Sequence, residues 1–365
     1  MQIALTADWL VARGGAERVI HEMQILWSEA PLFTAISKED VMKGYIRNIR
    51  TSKLQRLYRI IAEHRLLIPL MPTAVESWDL RGFDVIVSSS HAVAKGCIPP
   101  STALHICYCH TPMRYAWEME KKYLDDFRMI GPLRFLAQRE LRKLRSWDLT
   151  AAKRVDVFVA NSHEVAGRIQ RIYGRESIVL HPPVHDRFFT EPNRVKEPLF
   201  LAVGRLVPYK HFDLIIQAAN TMHVRLLIVG EGPERRKLQR MAGSTVEFLD
   251  RVPDEKLAEL YGKAQAVIFP VHEDAGIVPL ESQACGTPVI ALKKGGVLDT
   301  IIDGQTGIFF KEQTAASLCA AINTFKQKTF SPEIIRSHAE QFSSARFRTS
   351  LQSIVEDAFR KRSSS

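Results

Sequence analysis

The stretch "PLFLAVGRLVPYKHFDLIIQAAN", residues 198–220, contains the features that decide the fold. Residues 199–203 are a short apolar run typical of a buried strand, and Gly204 ends it. Arg205 follows the glycine directly, Lys210 comes five residues later, and the segment after it has the apolar spacing of a helix. The order of these residues predicts a strand, a glycine turn that carries two cations, and a helix.

The same order recurs along the whole chain. Short apolar runs that end in small or polar residues include "QIALTADWL", "FDVIVSSS", "LHICYCHT", "VDVFVANS", "VRLLIVGEGPE", "TVEFLDRV", "AQAVIFPV" and "GTPVIAL". Helical patterns separate them, such as "DEKLAELYGKA". Strands that alternate with helices predict doubly wound parallel sheets, which bind ligands at the carboxyl ends of the strands.

Length and composition predict two domains. The chain has 365 residues, 46% of them hydrophobic and 25% charged, and single cores stop growing at about 250–300 residues. The prolines and charges of residues 181–198 indicate an interdomain linker. No apolar run approaches the roughly 20 residues of a membrane span, and the N-terminus has the pattern of a first strand, not of a signal peptide.

The cysteines and charges indicate compartment and partners. Five cysteines, none in a C-x-x-C pair, favour a reduced cytoplasmic protein without structural zinc. The net charge is +10, and residues 1–190 hold 27 basic against 20 acidic side chains. This excess suggests an anionic partner: a phosphate-bearing substrate, a membrane surface or nucleic acid.

The most basic segment is 43–65, with seven Lys and Arg residues and one acid. Its residues Leu54, Leu57, Tyr58 and Ile61 have helical spacing. Such a helix could lie on an anionic membrane or pack its stripe against the core of the first domain. Nucleic-acid binding is not favoured, because no recognised motif accompanies the charge.

Glycines mark two candidate ligand loops, and a third follows the next strand. Gly14 and Gly15 open the first helix, whose positive end can bind an anion, although a plain turn would use the same residues. No G-x-G-x-x-G and no Walker A lysine is present, so classical dinucleotide and P-loop sites lose support. Gly230 allows close approach of a base or ribose, and Arg251 and Val252 close the following strand.

Three further positions carry polar side chains at strand ends. Arg205 and Lys210 could clamp a diphosphate or stand as solvated cations. In "VHEDAGIVPLESQAC", a helix predicted to begin near Pro279 would place Glu281 in its first turn and Glu273 in the preceding loop. Spacing alone leaves open whether these carboxylates grip a ligand. His110 ends another strand and is a better catalytic candidate than most histidines.

Together these motifs resemble the retaining glycosyltransferases of family 4, which have the GT-B fold. The resemblance rests on "GGAERV", "HTPMRYAW", "HPPV", "VGRLVPYKHFDLIIQA", "VGEGPE" and "EDAGIVPLESQACGTPVIA". It implies two Rossmann-like domains that face a cleft: an acceptor-binding domain over 1–185, a nucleotide-sugar domain over 186–345, and a C-terminal helix over 346–365 that packs toward the first domain.

The resemblance also implies roles for the candidate residues. Arg205 and Lys210 would hold the diphosphate, assisted by the Gly14 and Gly15 amides. Glu281 would bind the ribose and Glu273 the transferred sugar. Further implied contacts to the donor are by Gly230, Arg251, Val252, Asp274, Ala275, Gly276 and Ile277. His110 would lie beside the reacting sugar. Ala275 stands where the family usually has an aromatic residue, which puts the identity of the donor sugar in doubt.

The activity implied is a metal-independent transfer of a hexose, with GDP-mannose as the expected donor. The acceptor would be a glycan or a lipid-linked saccharide of envelope polysaccharide synthesis, and the enzyme would be cytoplasmic, with possible contact to the inner membrane face through residues 43–65. No cofactor is expected, and the sequence shows no D-x-D motif. The alternatives are a GT-B nucleotide-sugar epimerase, a sugar phosphorylase, and a non-catalytic basic surface-binding protein.

Overall fold

The computed structural model of this protein describes residues 1–118, 131–190 and 195–364. Four residues of the predicted linker, 191–194, lie outside that range. The chain divides into two compact units. The first comprises Met1–Pro182 together with Phe347–Ser365, and the second comprises Pro183–Arg346.

The first unit is built on a seven-stranded parallel sheet. Its strands are β1 (Ile3–Ala7), β2 (Leu32–Thr34), β3 (Ile49–Thr51), β4 (Val85–Ser90), β5 (Leu104–Cys109), β6 (Val157–Ala160) and β7 (Ser177–Val179). They lie in the order β3-β2-β1-β4-β5-β6-β7. The helices are Gly15–Leu26, Glu39–Met42, Leu54–Ile61, Met71–Glu76, Arg114–Trp117, Gly131–Ala152, His163–Tyr173 and Ser344–Ser363, with 3-10 turns at His64–Leu70 and Ala94–Gly96.

Both faces of this sheet are covered, which explains why its central strands are buried throughout. Every residue of β1 and β4 is buried, as expected for parallel strands with helices on either side. One cluster includes Leu5, Val87 and Phe347, so the C-terminal helix contributes to the core of this unit. The opposite face holds a second cluster that includes Ile86 and Met71.

The second unit has a six-stranded parallel sheet. Its strands are β8 (Glu197–Val203), β9 (Arg225–Val229), β10 (Val246–Leu249), β11 (Ala264–Phe269), β12 (Val289–Leu292) and β13 (Gly307–Phe310). They lie in the order β10-β9-β8-β11-β12-β13. The helices are Phe212–Met222, Arg235–Met241, Asp254–Lys263, Ile277–Ala284, Val297–Thr300, Ala315–Lys326 and Pro332–Ala339, with 3-10 turns at Asp186–Phe188, Pro208–Lys210 and Glu340–Phe342.

The strand orders confirm the predicted doubly wound architecture and identify where a ligand can bind. In each sheet the chain first adds strands on one side of its first strand and then returns to add the rest on the other side. The reversal lies between β1 and β4 in the first unit and between β8 and β11 in the second. Ligands of such sheets bind at the carboxyl ends of the strands that flank the reversal.

The basic segment 43–65 is not a single helix. Residues Ile49–Thr51 form a strand, and the predicted stripe lies on the helix Leu54–Ile61. Leu54, Leu57 and Tyr58 pack against a core cluster of the first unit, whereas the Ile61 side chain is 38% exposed. Most of the stripe therefore faces the core. Among the described helices, none has the length and low polarity needed to span a bilayer.

Candidate active site

In the second unit, the loops that follow β8 and β9 cross each other, and their backbones are in direct contact. Gly204 donates its N–H to the Val229 carbonyl at 3.0 Å, and Leu206 donates to the Glu231 carbonyl at 2.8 Å. Gly230 has φ +147°, and a Cβ atom on it would lie 1.9 Å from the Gly204 carbonyl oxygen. A side chain at Gly230 would push the two loops apart, so this position needs glycine whatever ligand it meets.

The two predicted cations occupy different surroundings. Arg205, directly after β8, is exposed. Lys210 ends the 3-10 turn Pro208–Lys210, and its side chain is only 13% exposed. Its ammonium forms an ion pair with Glu273 and lies 5.9 Å from the centre of the Phe269 ring. Lys210 is therefore not a solvated cation, because it has a carboxylate and an aromatic partner.

Glu273 belongs to the loop between β11 and the helix Ile277–Ala284. Its side chain is 22% exposed, and its carbonyl oxygen accepts from Gly296 N–H at 2.9 Å. Gly295 has φ +78°, and a Cβ atom there would lie 2.3 Å from that same carbonyl oxygen. The loop after β12 thus supports the loop of Glu273, a contact that the sequence reasoning missed. The paired glycines of "KKGG" immediately after an apolar strand were the available signal.

The position of Glu281 on its helix differs from the predicted one. The helix begins at Ile277, with Gly276 at its N-cap, so Glu281 is not in the first turn. Its side chain is buried, with 2% exposure, and accepts a hydrogen bond from the Tyr261 hydroxyl at 3.0 Å. The carboxylate is therefore not a surface charge.

The remaining residues predicted on the second unit surround these loops. Arg251 is exposed, and its N–H lies 3.4 Å from the Glu231 carboxylate. Val252 is half-buried against an apolar cluster. Asp274 and Ala275 lie close to Gly296, where a Cβ atom would meet their backbone atoms at 2.4 and 2.6 Å. The structure thus brings the loops after β8, β9, β10, β11 and β12 together in contacting pairs.

In the first unit, one backbone amide of the predicted glycine turn already has a hydrogen-bond partner within the protein. Gly14 is the N-cap of the helix Gly15–Leu26, as predicted. Its N–H donates to the Glu17 carboxylate at 2.9 Å, so this amide is not free for an anion as the sequence reasoning supposed. Burial raises the pKa of Glu17, although its bonds to nearby amides oppose that rise.

His110 lies at the end of β5 and is held in one orientation. Its Nε2 lies 2.8 Å from the Ser89 hydroxyl, and its carbonyl accepts from the Asn161 side chain at 3.0 Å. Burial, together with the neighbouring charge of His91, lowers the pKa of His110 to about 3. The imidazole is therefore neutral at physiological pH and can accept or donate a hydrogen bond without carrying charge.

A second histidine, His91, is held by a carboxylate and was missed by the sequence reasoning. Asp8 follows β1 and is 1% exposed, and its Oδ2 lies 2.8 Å from Nδ1 of His91. Asp8 also accepts from four successive backbone N–H groups, those of residues 91–94, at 2.5–3.0 Å. The available signal was a polar residue at the end of each strand. Asp8 follows "QIALTA", and His91 follows "VIVSSS".

The two groups of this pair have shifted pKa values. Burial alone would raise the pKa of Asp8, but His91 and the surrounding amides hold it well below its usual range. Burial alone would lower the pKa of His91, but the facing carboxylates of Asp8 and Glu17 outweigh this and raise it. The ring centres of His91 and His110 are 6.4 Å apart, and their pKa values are shifted in opposite directions.

Known proteins share both the second unit and the overall fold. Residues 185–342 match the family described as glycosyl transferases group 1. A 193-residue stretch is 33% identical to a GDP-mannose-dependent alpha-(1-6)-phosphatidylinositol monomannoside mannosyltransferase of Mycolicibacterium smegmatis, covering 43% of this chain and 50% of the relative. D-inositol 3-phosphate glycosyltransferase of Acidothermus cellulolyticus is 32% identical over 232 residues, or 53% and 51% of the two chains. The matches thus span about half the length of these relatives.

Solved structures resemble nearly the whole chain. HepE from Anabaena, in complex with UDP and glucose, has a TM-score of 0.69 at 17% identity and covers 98% of this chain and 99% of its own. Sucrose-phosphate synthase from Thermosynechococcus elongatus has a TM-score of 0.70 at 16% identity, covering 99% and 100%. The fold is GT-B.

Proposed function

We propose that this protein is a retaining glycosyltransferase that moves a hexose from a nucleotide sugar to a saccharide acceptor. The observation that carries the proposal is the half-buried ion pair between Lys210 and Glu273 at the reversal point of the second sheet. A pure binding surface has no need for a shielded lysine and a paired carboxylate in loops that depend on glycine contacts, with the buried Glu281 on the helix that follows.

The chemistry requires positive charge where the leaving group departs. As the bond between the anomeric carbon and the phosphate oxygen breaks, negative charge accumulates on the nucleoside diphosphate and positive charge on the sugar. Preorganised cations at the diphosphate stabilise that state more than the ground state. Lys210 has three N–H donors, so it can bind a phosphate oxygen while still contacting Glu273, and Arg205 adds a planar fork of donors.

Glu273 and Glu281 then take separate parts of the donor. Glu273 accepts hydrogen bonds from hydroxyls of the transferred sugar, next to the lysine that binds the diphosphate. Glu281 accepts from the ribose hydroxyls. In a retaining transfer the acceptor hydroxyl attacks on the face that the diphosphate leaves. The departing phosphate oxygen takes the acceptor proton as the new glycosidic bond forms, so no base from the protein is needed.

GDP-mannose is the donor we propose, and the acceptor is a glycan or lipid-linked saccharide of envelope polysaccharide synthesis. A GDP-mannose-dependent relative supports the donor, while a neighbour of the same fold was solved with UDP and glucose. The choice of sugar depends on Ala275, whose side chain is smaller than the aromatic residue that the resemblance implies at this position.

A screen of nucleotide sugars tests this function. GDP-mannose, GDP-glucose, UDP-glucose and ADP-glucose are each added to the protein, and thermal unfolding is followed. We expect one donor, at about 100 times its Kd, to stabilise the fold by about 2.7 kcal/mol. The same donor should then be consumed when a saccharide acceptor is added, without a requirement for inorganic phosphate. Stabilisation by none of the four would contradict the function, and consumption only with inorganic phosphate would identify a phosphorylase.

Contact with an anionic membrane is a further part of the proposal, through a different set of side chains than the sequence suggested. On the helix Leu54–Ile61 and the turn His64–Leu70, Ile60 is 81% exposed, Leu66 57% and Leu70 49%. Arg56, Arg59 and Arg65 are exposed on the same segment. Exposed aliphatic side chains flanked by arginines fit the boundary of an anionic lipid layer, at the inner face of the plasma membrane.

Sedimentation with vesicles tests the membrane contact. The protein should bind vesicles that contain anionic phosphatidylglycerol more strongly than purely zwitterionic ones. The double variant Ile60→Ser/Leu66→Ser should weaken that binding by about tenfold, because two inserted aliphatic side chains contribute on the order of 1.4 kcal/mol or more. The matched control is Ile25→Ser/Ile178→Ser, whose residues are exposed elsewhere on the same unit. Equal binding by both double variants would contradict this surface.

A further inference from the structure

A cluster of aromatic and imidazole rings lies at the carboxyl edge of the first sheet. Trp9 follows Asp8 after β1, and its ring centre is 4.7 Å from that of His91 in an edge-on arrangement. His64 lies on another side of Trp9, at 5.4 Å. All these contacts belong to the first unit. None of the roles proposed above uses Trp9 or His91.

Trp9 is fixed but not covered. Part of the indole packs against a core cluster of the first unit, while the side chain as a whole is half-buried. An aromatic ring that is held by packing and still partly exposed can serve as a rigid platform. Its electron-rich surface attracts the slightly positive C–H groups of a pyranose ring.

His91 is oriented so that one ring nitrogen stays available. Nδ1 is taken by Asp8 at 2.8 Å, and 31% of the side chain is exposed. Among the described residues, none hydrogen-bonds Nε2 of His91. Because Asp8 is itself held by the backbone amides of residues 91–94, the imidazole cannot easily turn away. A fixed ring nitrogen beside an aromatic platform is suited to a sugar hydroxyl.

We propose that Trp9 and His91 form a subsite for a pyranose ring of the acceptor, with the indole against the C–H face of the sugar and Nε2 of His91 on a ring hydroxyl. This inference rests on the proposed glycosyltransferase function and adds to it the residues that bind the saccharide acceptor. His110, 6.4 Å from His91 between ring centres, adjoins the subsite within the first unit.

Saturation-transfer NMR on the full chain tests the subsite. The probes are the methyl α-pyranosides of mannose, glucose, galactose and N-acetylglucosamine, each added in the presence of GDP. We expect magnetisation to pass from the protein to the ring protons of at least one of them. Trp9→Leu keeps an apolar side chain against the core but removes the platform, and it should weaken that pyranoside's binding at least fivefold.

A second variant addresses the imidazole. In His91→Asn the side-chain amide can replace Nδ1 as the donor to Asp8, but nothing replaces Nε2, so pyranoside binding should again weaken at least fivefold. The matched control is His21→Asn, since Nδ1 of His21 also has a partner, the Tyr45 carbonyl at 3.0 Å, and the residue lies elsewhere in the unit. Binding of that pyranoside by the control should equal that of the unmodified protein.

The measurements distinguish a failure of the proposed subsite from a failure of the proposed glycosyltransferase function. Stabilisation by GDP is measured on every variant and should be unchanged in Trp9→Leu and His91→Asn, which shows that they fold and bind nucleotide. The subsite is overturned if none of the four pyranosides receives magnetisation, or if both variants bind as the unmodified protein does. Failure of every nucleotide sugar to stabilise the unmodified chain would instead contradict the function itself.

Discussion

Replacing Lys210 with methionine is expected to lower the rate of sugar transfer by about 10²–10³-fold, which is the usual cost of losing one preorganised group at a developing charge. Methionine keeps most of the volume and the contact with Phe269, but it removes the ammonium that pairs with Glu273. The loss should fall on kcat more than on donor binding, because the negative charge on the diphosphate grows as the sugar leaves. Steady-state kinetics with the donor identified by the screen measure both parameters.

The control for this variant is Lys256→Met in the same unit. Lys256 pairs with Glu259 at 2.8 Å, and its side chain is 48% exposed, so its removal should leave transfer unchanged. Thermal unfolding of both variants shows whether the second unit remains intact. Transfer by Lys210→Met at more than a third of the normal rate would contradict the role of this lysine in catalysis.

The largest expected effect on stability is at Lys95, which is fully buried in the first unit. Its ammonium lies 2.6 Å from the Asp148 carboxylate and donates to the Ala92 carbonyl at 2.6 Å. Burial alone would lower the pKa of Lys95, but Asp148 outweighs it and raises that pKa. Lys95→Met leaves Asp148 charged without a cation, and such a loss costs about 3–5 kcal/mol of the free energy of unfolding.

A double variant distinguishes the loss of the ion pair from the cost in stability of leaving the Asp148 charge buried without a cation. Asp148 also accepts hydrogen bonds from Trp117 at 2.8 Å and Tyr173 at 2.7 Å. Asparagine keeps an oxygen for these donors and removes the charge, so Lys95→Met/Asp148→Asn should recover at least half of the lost stability. Urea unfolding followed by fluorescence measures all three variants.

The control for the buried pair is Lys143→Met. Lys143 pairs with Glu140 at the same 2.6 Å, but both side chains are well exposed. Exposed pairs contribute about 0–1 kcal/mol because water screens them and their side chains lose freedom on pairing. If Lys95→Met were no more destabilising than Lys143→Met, the buried pair would not hold this part of the unit together.

The architecture was predictable because alternation of strand and helix is a local pattern. The run "LFLAV" is apolar over its whole length and "QIALTA" over most of it, as expected for parallel strands buried on both faces. Strands as short as Leu32–Thr34, Ile49–Thr51 and Ser177–Val179 were not identified. Three residues carry too little periodicity to be told from a loop.

The basic helix shows what helical periodicity in the sequence can predict and what it cannot. Spacing predicted a helix with an apolar stripe, and the structure has that helix at Leu54–Ile61. Whether the stripe meets core or solvent depends on what packs against it, and most of it meets the core. The exposed side chains Ile60, Leu66 and Leu70 break the helical spacing, so no single-helix pattern could reveal them as one surface.

The sequence by itself determined the fold class and the loops in which the candidate site lies, because strand-ending residues are read from neighbours along the chain. Only the tertiary structure decided which of those residues touch. Lys210 meets Glu273 from 63 residues away, and Asp8 meets the amides of residues 91–94 across more than 80. Parallel sheets place the carboxyl ends of distant strands side by side. Strand order and burial then decide which distant side chains form pairs, and the local spacing of residues specifies neither.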